Sequence, residues 1–214
     1  MKISVIIPTY NESATILATL ERVIGQTRRP DEVVVVDDST DSTPQVVGKF
    51  SKQHKAVRLV RGARRGVSAA KNLGAREAKG GILVFLDADV LLDPRSLDLI
   101  EKKFRVPGVE LVQWFNPPRP PKTFMEKCNY VRISHLSGRA AGDIMEVPHA
   151  YKRETFERLG GFNESLRYFE DRDMHDRIRH AGLQVHRIEA PAQHMEPTTR
   201  GGIKKPATRL RRPR

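Results

Sequence analysis

Short apolar runs alternate with segments of helical period along the first half of the chain. Ile3–Pro8, Glu32–Val36, Val57–Val60, Ile82–Leu86 and Val109–Trp114 read as strands. Between them Glu12–Gly25, Ser42–Lys52, Val67–Lys79 and Pro94–Phe104 carry apolar residues at the spacing of one helix face. Strand, helix, strand, helix predicts an α/β fold: a doubly wound, mostly parallel sheet with helices on both faces. Asn11 and Glu12 stand where a cap and a first-turn acid belong, and Asp93-Pro94 places proline at a first helical position. Ligands of such sheets bind beyond the carboxyl ends of the strands. Pro8-Thr9-Tyr10, Asp37-Asp38 and Asp87-Ala88-Asp89 all follow strand ends, so they are expected to share one crevice.

The pattern changes at Asn116-Pro117-Pro118-Arg119-Pro120-Pro121, a stiff connector that cannot be helical. After it come a helix over Phe124–Leu136 whose apolar stripe reads as core, a short strand near Ile144–Val147, helices over Arg153–Leu159 and Asp171–Ala181, and a strand over Gln184–Ile188. The organisation expected is one domain over 1–198, with 1–115 binding a nucleotide and 116–198 completing the site, followed by a tail at 199–214.

Composition changes this picture at two points. The formal charge of +12 is strongly basic, but seven Lys and Arg and no acid lie between Arg200 and Arg214, and +12 less these seven leaves only +5 for the body. The basicity belongs to a Gly- and Pro-containing tail, expected not to pack and suited to an anionic membrane surface. Nucleic acid is disfavoured as a partner, because the body lacks an interleaved basic and aromatic stripe. The single cysteine, Cys128, excludes an internal disulfide and any multi-cysteine metal site, and is read as structural. No stretch approaches the roughly 18 apolar residues of a membrane span, and the N-terminal run is too short for a signal peptide. The expected location is the cytoplasm, with contact to the inner face of the membrane through 200–214.

The sharpest chemistry lies in Leu86-Asp87-Ala88-Asp89-Val90. In an extended segment residues i and i+2 project to one side, so both carboxylates are expected to face one point. Like charges that close need a cation, and hard oxygen ligands suit Mg2+ or Mn2+. An Asp-x-Asp alone is also what an acidic strand end or a solvated turn looks like.

Further strings give it company. Ser4-Val5-Ile6-Ile7-Pro8-Thr9-Tyr10-Asn11-Glu12, Val35-Val36-Asp37-Asp38-Ser39-Thr40-Asp41-Ser42-Thr43, Asp87-Ala88-Asp89, Gly160-Gly161-Phe162 and Glu170-Asp171-Arg172-Asp173 occur in this order. Together they resemble the inverting GT-A glycosyltransferases of family 2, members of the nucleotide-diphospho-sugar transferase superfamily with a Rossmann-like sheet. The resemblance implies transfer of a sugar, with inversion, from a nucleotide-sugar donor to a hydroxyl of a lipid-linked, polysaccharide or glycoprotein acceptor. It places the base of the donor, with uridine favoured and guanosine next, at Thr9, Tyr10 and Glu12. Asp37 or Asp38 accepts a ring N–H, and Asp38 is the choice. Lys71 stands where the family usually has Arg, so a bidentate donor contact becomes a point charge. Asp89 is implied as a direct ligand of Mn2+ or Mg2+, Asp87 as a second ligand or as the residue that orients sugar hydroxyls, and His194 as a third ligand.

Inverting transfer also needs a base opposite the leaving group. Asp171 matches that position, with Glu170 as fallback. The competing structural role is a helix N-cap, and crowding by Glu170 and Asp173 would strengthen Asp171 as a base. No Gln-x-x-Arg-Trp follows in the sequence, so one sugar per encounter is expected. His149-Ala150-Tyr151-Lys152-Arg153 and Trp114 are candidates for the acceptor side, Trp114 equally for the core. Two other classes compete. A nucleotidyltransferase would need a glycine-rich basic loop after the first strand, and a nucleic-acid binder would have no use for Asp89.

Overall fold

The computed structural model describes residues 1–114, 149–166 and 168–195, with His194 described by its backbone alone. The connector at 116–121, the helix at Phe124–Leu136, Cys128, the strand at Ile144–Val147 and the basic tail lie outside these residues.

Strands β1 (Ile3–Thr9), β2 (Glu32–Asp37), β3 (Val57–Arg61) and β4 (Ile82–Phe85) alternate with helices α1 (Ile16–Ile24), α2 (Thr43–Gln53) and α3 (Val67–Glu77). There follow β5 (Val90–Leu91), α4 (Ser96–Phe104), β6 (Leu111–Trp114), β7 (Ala150–Lys152), α5 (Arg153–Arg158), α6 (Glu170–His180), β8 (Val185–Ile188) and β9 (Gln193–His194). The main sheet has the order β3-β2-β1-β4-β7-β6-β8. Its first four strands are parallel, with Ile6 opposite Val34 on one side and Phe85 on the other. β7 enters antiparallel between β4 and β6, and β6 is parallel to β8.

Period-two alternation explains the layering. Ile3, Val5, Ile7, Val33, Val35, Ile82 and Val84 enter one core with Leu20, Val23, Val47, Phe50, Ile100 and Phe104 from α1, α2 and α4. Ile6, Val34, Val36, Leu83 and Phe85 enter the other with Ala70, Phe156, Met174 and Ile178 from α3, α5 and α6. Phe85, Tyr151, Phe156 and Phe162 form an aromatic cluster there, with Phe85 and Phe162 edge to face at 5.2 Å.

Several expectations are corrected. α1 begins at Ile16 with Thr15 at its N-cap. The Asn11 side chain instead accepts from Thr40 N at 2.9 Å, and Glu12 forms a turn whose carbonyl accepts from Thr15 and Ile16. α4 starts after Pro94, because the carbonyl and carboxylate of Asp93 close a turn on Ser96 N and Arg95 N. Within 149–153, expected at the acceptor side, residues 150–152 form β7, where Ala150 and Tyr151 are fully buried, and Arg153 opens α5. Arg153 donates to the carbonyls of Gly80, Ala75 and Ala78. Trp114 is core and stacks on His149 at 3.9 Å.

Candidate active site

β1 and β4 are neighbours, yet the chain runs outward from β1 through β2 and β3 before returning to β4. This reversal makes the crevice beyond their carboxyl ends the natural ligand site. Thr9 closes β1, and its hydroxyl donates to Asp37 Oδ1 at 3.0 Å and to the Val36 carbonyl at 3.3 Å. Asp37 has no exposure, accepts also from Ser39 N, and pairs with Arg61 at the end of β3. Thr9 and Asp37 therefore tie three strand ends together. Asp38, the next residue, borders the crevice instead. Its Oδ1 accepts from Arg64 N at 2.9 Å. Gly62 makes that approach possible, since a Cβ there would lie 2.2 Å from Asp38 Oδ1. Asp38 lines a small cavity with Arg65, Ala69, Leu73, Arg76 and Glu164. Tyr10 is 61% exposed, and Asn11, at φ 58°, pins its loop to the one after β2. Glu12 accepts from the Thr15 hydroxyl at 2.9 Å, facing α1.

The carboxylates after β4 are arranged otherwise than an extended segment predicts. The strand ends at Phe85, and Asp87-Ala88-Asp89 is a turn closed by Val90 N donating to the Asp87 carbonyl at 3.2 Å. Asp87 is exposed, Asp89 half-buried, and Ala88 is buried with its carbonyl bound by the Thr19 hydroxyl. β5 then pairs antiparallel with β9, placing Val90 opposite His194, and Met195 N donates to the Asp89 carbonyl at 2.8 Å. The backbone thus brings His194 beside the Asp87–Asp89 turn. Among the described residues no three His, Cys, Asp or Glu side chains form a metal-holding group.

Glu170 and Asp171 open α6. The N-cap is Phe169 in the left-handed region, at φ 67°, so neither acid caps the helix. Lys71 reaches them from α3: its Nζ donates to Glu170 Oε1 at 3.2 Å and to Asp171 Oδ1 at 3.3 Å. Burial pulls this ammonium toward neutrality, but the carboxylates of Asp171, Asp87 and Glu170 outweigh it and raise its pKa above that of an ordinary lysine. Asp173 turns away to Arg177, at 2.6 and 2.9 Å. The charge around Asp171 is therefore compensated rather than crowded. Of the two acids Asp171 is the more open, its side chain 46% exposed against 14% for Glu170. Lys71, expected at the donor, is thus engaged with α6.

Asn72 organises this side of the crevice without having been singled out by the sequence. Its side chain exchanges two hydrogen bonds of 2.8 Å with the backbone of Phe162, and donates to Glu164 Oε1 at 3.0 Å. Gly161 passes so close that a Cβ would sit 2.8 Å from Asn72 Oδ1. The signal was present as two strings, Lys71-Asn72 and Gly160-Gly161-Phe162, but no local pattern says that they touch.

A mostly parallel sheet whose strand order reverses between β1 and β4, with an Asp-x-Asp turn after β4 and an acidic start to α6, has the GT-A fold. The profile of glycosyl transferase family 2 matches residues 4–160, and the chain belongs to that family. A second profile, described as the N-terminal domain of galactosyltransferase, matches residues 148–199. A mannosyltransferase from Pyrobaculum calidifontis, solved with GDP-Man and Mn2+, superposes with a TM-score of 0.69 at 32% identity, over 88% of this chain and 55% of that one. Glucosyl-3-phosphoglycerate synthase from Mycobacterium tuberculosis, in complex with Mn2+, UDP and phosphoglyceric acid, shares the fold (TM-score 0.66, 21% identity, 92% of this chain and 71% of that one). An uncharacterised glycosyltransferase of Haemophilus influenzae is 32% identical over 80% of this chain. The glycosyltransferase GlyG of Streptococcus pneumoniae is 25% identical over 81%. The chain spans 60% and 64% of the length of these two relatives.

Proposed function

We propose that this chain is an inverting glycosyltransferase domain that moves one sugar from a nucleoside diphosphate sugar to a hydroxyl of a carbohydrate or lipid-linked acceptor. The observation that carries the reading is the acidic start of α6 held by Lys71 of α3, whose Nζ donates to Glu170 Oε1 at 3.2 Å and to Asp171 Oδ1 at 3.3 Å. Asp171 is half-exposed, and the charge of Asp87, the first residue of the Asp-x-Asp turn, acts on the same ammonium. One end of the crevice can hold a donor, and the other can take the proton of an attacking hydroxyl.

Asp38 is positioned to accept a ring N–H of the donor base, a charge-assisted contact. Exposed Tyr10 offers an aromatic face to the same base. Guanosine becomes the favoured base, since the mannosyltransferase at 32% identity was solved with GDP-Man, whereas the UDP complex cited above lies at 21%. The chemistry of the turn fits a hard divalent ion, because Asp87 and Asp89 offer carboxylate oxygens, the ligand type that Mn2+ and Mg2+ take. Asp89 and Asp87, with His194 brought alongside by β9, are the residues that would hold it. Mn2+ or Mg2+ bound there would neutralise the charge of the departing diphosphate. The base role falls to Asp171 rather than Glu170 because its carboxylate is the more accessible to an acceptor.

Thermal unfolding in the presence of GDP, UDP and dTDP, with and without Mn2+, tests the reading. One nucleotide is expected to stabilise the protein only when metal is present, by about 2.7 kcal/mol at roughly 100 times its Kd. Stabilisation by none would end it. Asp171→Asn is expected to keep that nucleotide binding while lowering transfer at least about 100-fold. Full activity in this variant would move the base elsewhere.

A further inference from the structure

Lys71 is a lysine taken almost wholly out of water. Its side chain is 7% exposed, and its ammonium lies 4.7 Å from the centroid of the Phe162 ring. Burying an ammonium costs several kcal/mol unless its partners are well placed. Here the partners are the two consecutive acids that open α6, residues separated from Lys71 by about a hundred positions in sequence. Phe169, the N-cap before them, is left-handed and makes no side-chain cap hydrogen bond.

We propose that Lys71 is the positioning residue of the catalytic base, fixing the Asp171 carboxylate, together with Glu170, at the point where an acceptor hydroxyl arrives. The inference rests on the reading of Asp171 as base. α3 supplies both parts of the support from neighbouring residues, because Asn72 clips the Phe162 backbone and so sets the ring beneath the ammonium. The replacement of the family's usual Arg also acquires a reason. A guanidinium fork matches one carboxylate bidentately, whereas an ammonium on a flexible stem can share its three donors between two carboxylates. With its hydrogen bonds given to α6, Lys71 contributes to turnover and not to holding the donor.

The test compares Lys71→Met and Lys71→Arg with the unaltered protein in two measurements. One is the Kd for GDP and UDP with Mn2+. The other is the rate at which nucleoside diphosphate is released from GDP-mannose and UDP-glucose by transfer to water, which uses the same base. Lys71→Met is expected to lower kcat on the order of 100-fold while the nucleotide Kd stays within about threefold. Lys71→Arg is expected to recover about tenfold of that loss, because the cation returns without the shared geometry. Should Lys71→Met fail to fold, Lys71→Gln, whose amide still donates to a carboxylate, carries the same comparison. A rise in Kd with kcat unchanged overturns the proposal and makes Lys71 a donor contact. No change in either overturns it as well. If the unaltered protein binds no nucleotide, the glycosyltransferase reading falls first and this one with it.

Discussion

Tyr151 and Asp41 show how differently single polar residues are treated in this molecule. Tyr151 is fully buried, and its hydroxyl has no hydrogen-bond partner among the described residues. Burial, and secondarily the Asp171 charge, pushes its pKa well above the usual phenol value. A buried unpaired hydroxyl costs about 1–3 kcal/mol. Tyr151→Phe is therefore expected to raise the unfolding free energy by about 1 kcal/mol in denaturant titration; a loss would reveal a partner for the hydroxyl. Asp41 is the opposite case. Desolvation pushes its carboxyl up, but hydrogen bonds from the Thr43 hydroxyl and backbone and from Ser13 bring it down to about 2, from 3.8. A depressed carboxyl contributes stability above its unfolded value and loses it as pH falls through the folded value. Asp41→Asn is expected to lower stability at pH 7, by no more than about 1 kcal/mol after solvent screening. The difference in Tm between the two proteins should close between pH 4 and pH 2. A gap that persists at pH 2 would mean that the charge was not the cause.

At the scale of elements, most of the architecture of the first four strands was legible. Strands β1 to β4 are apolar runs bounded by Gly, Pro and Asp, and the helices between them have one apolar face. The misses share a cause. β5 and β9 are two residues long and have no period to detect, while β7 is three residues whose burial depends on neighbours on both sides. The start of α1 was misplaced because Asn11 serves the β2 loop rather than its own helix, a choice that tertiary contacts make. Gly74 illustrates the same dependence. Within a helix it looks like a weak point, yet its missing side chain lets α3 lie against the sheet. A Cβ there would come within 2.3 Å of Ile6 Cγ2 and 3.2 Å of Val36 Cγ2. Gly74→Ala, which helix propensity alone would favour, is expected to destabilise the protein by about 1–3 kcal/mol through overpacking. Because α3 carries Lys71 and Asn72, which hold the start of α6 and the Phe162 backbone, the rate of transfer is expected to fall with it. An increase in Tm would show that α3 can shift without harm.

For the whole molecule, the sequence conveyed the family, the kind of sheet and the strings that gather at its reversal, and could not convey how those strings share their charges. Lys71 with Glu170 and Asp171, or Asn72 with Phe162, are contacts across 90 to 100 positions. Local pattern carries no information at that range. The pairing of β5 with β9 is of this kind, and it sets an order in time. A ribosome delivers the Asp87–Asp89 turn well before the strand that lies against it, and contacts so far apart must wait for the intervening loop to close. β1 to β4 can pair while the chain is still growing. The Asp-x-Asp turn gains its neighbour only when residues 193–195 arrive, so a nascent chain can hold β1 to β4 paired before β9 lies against that turn.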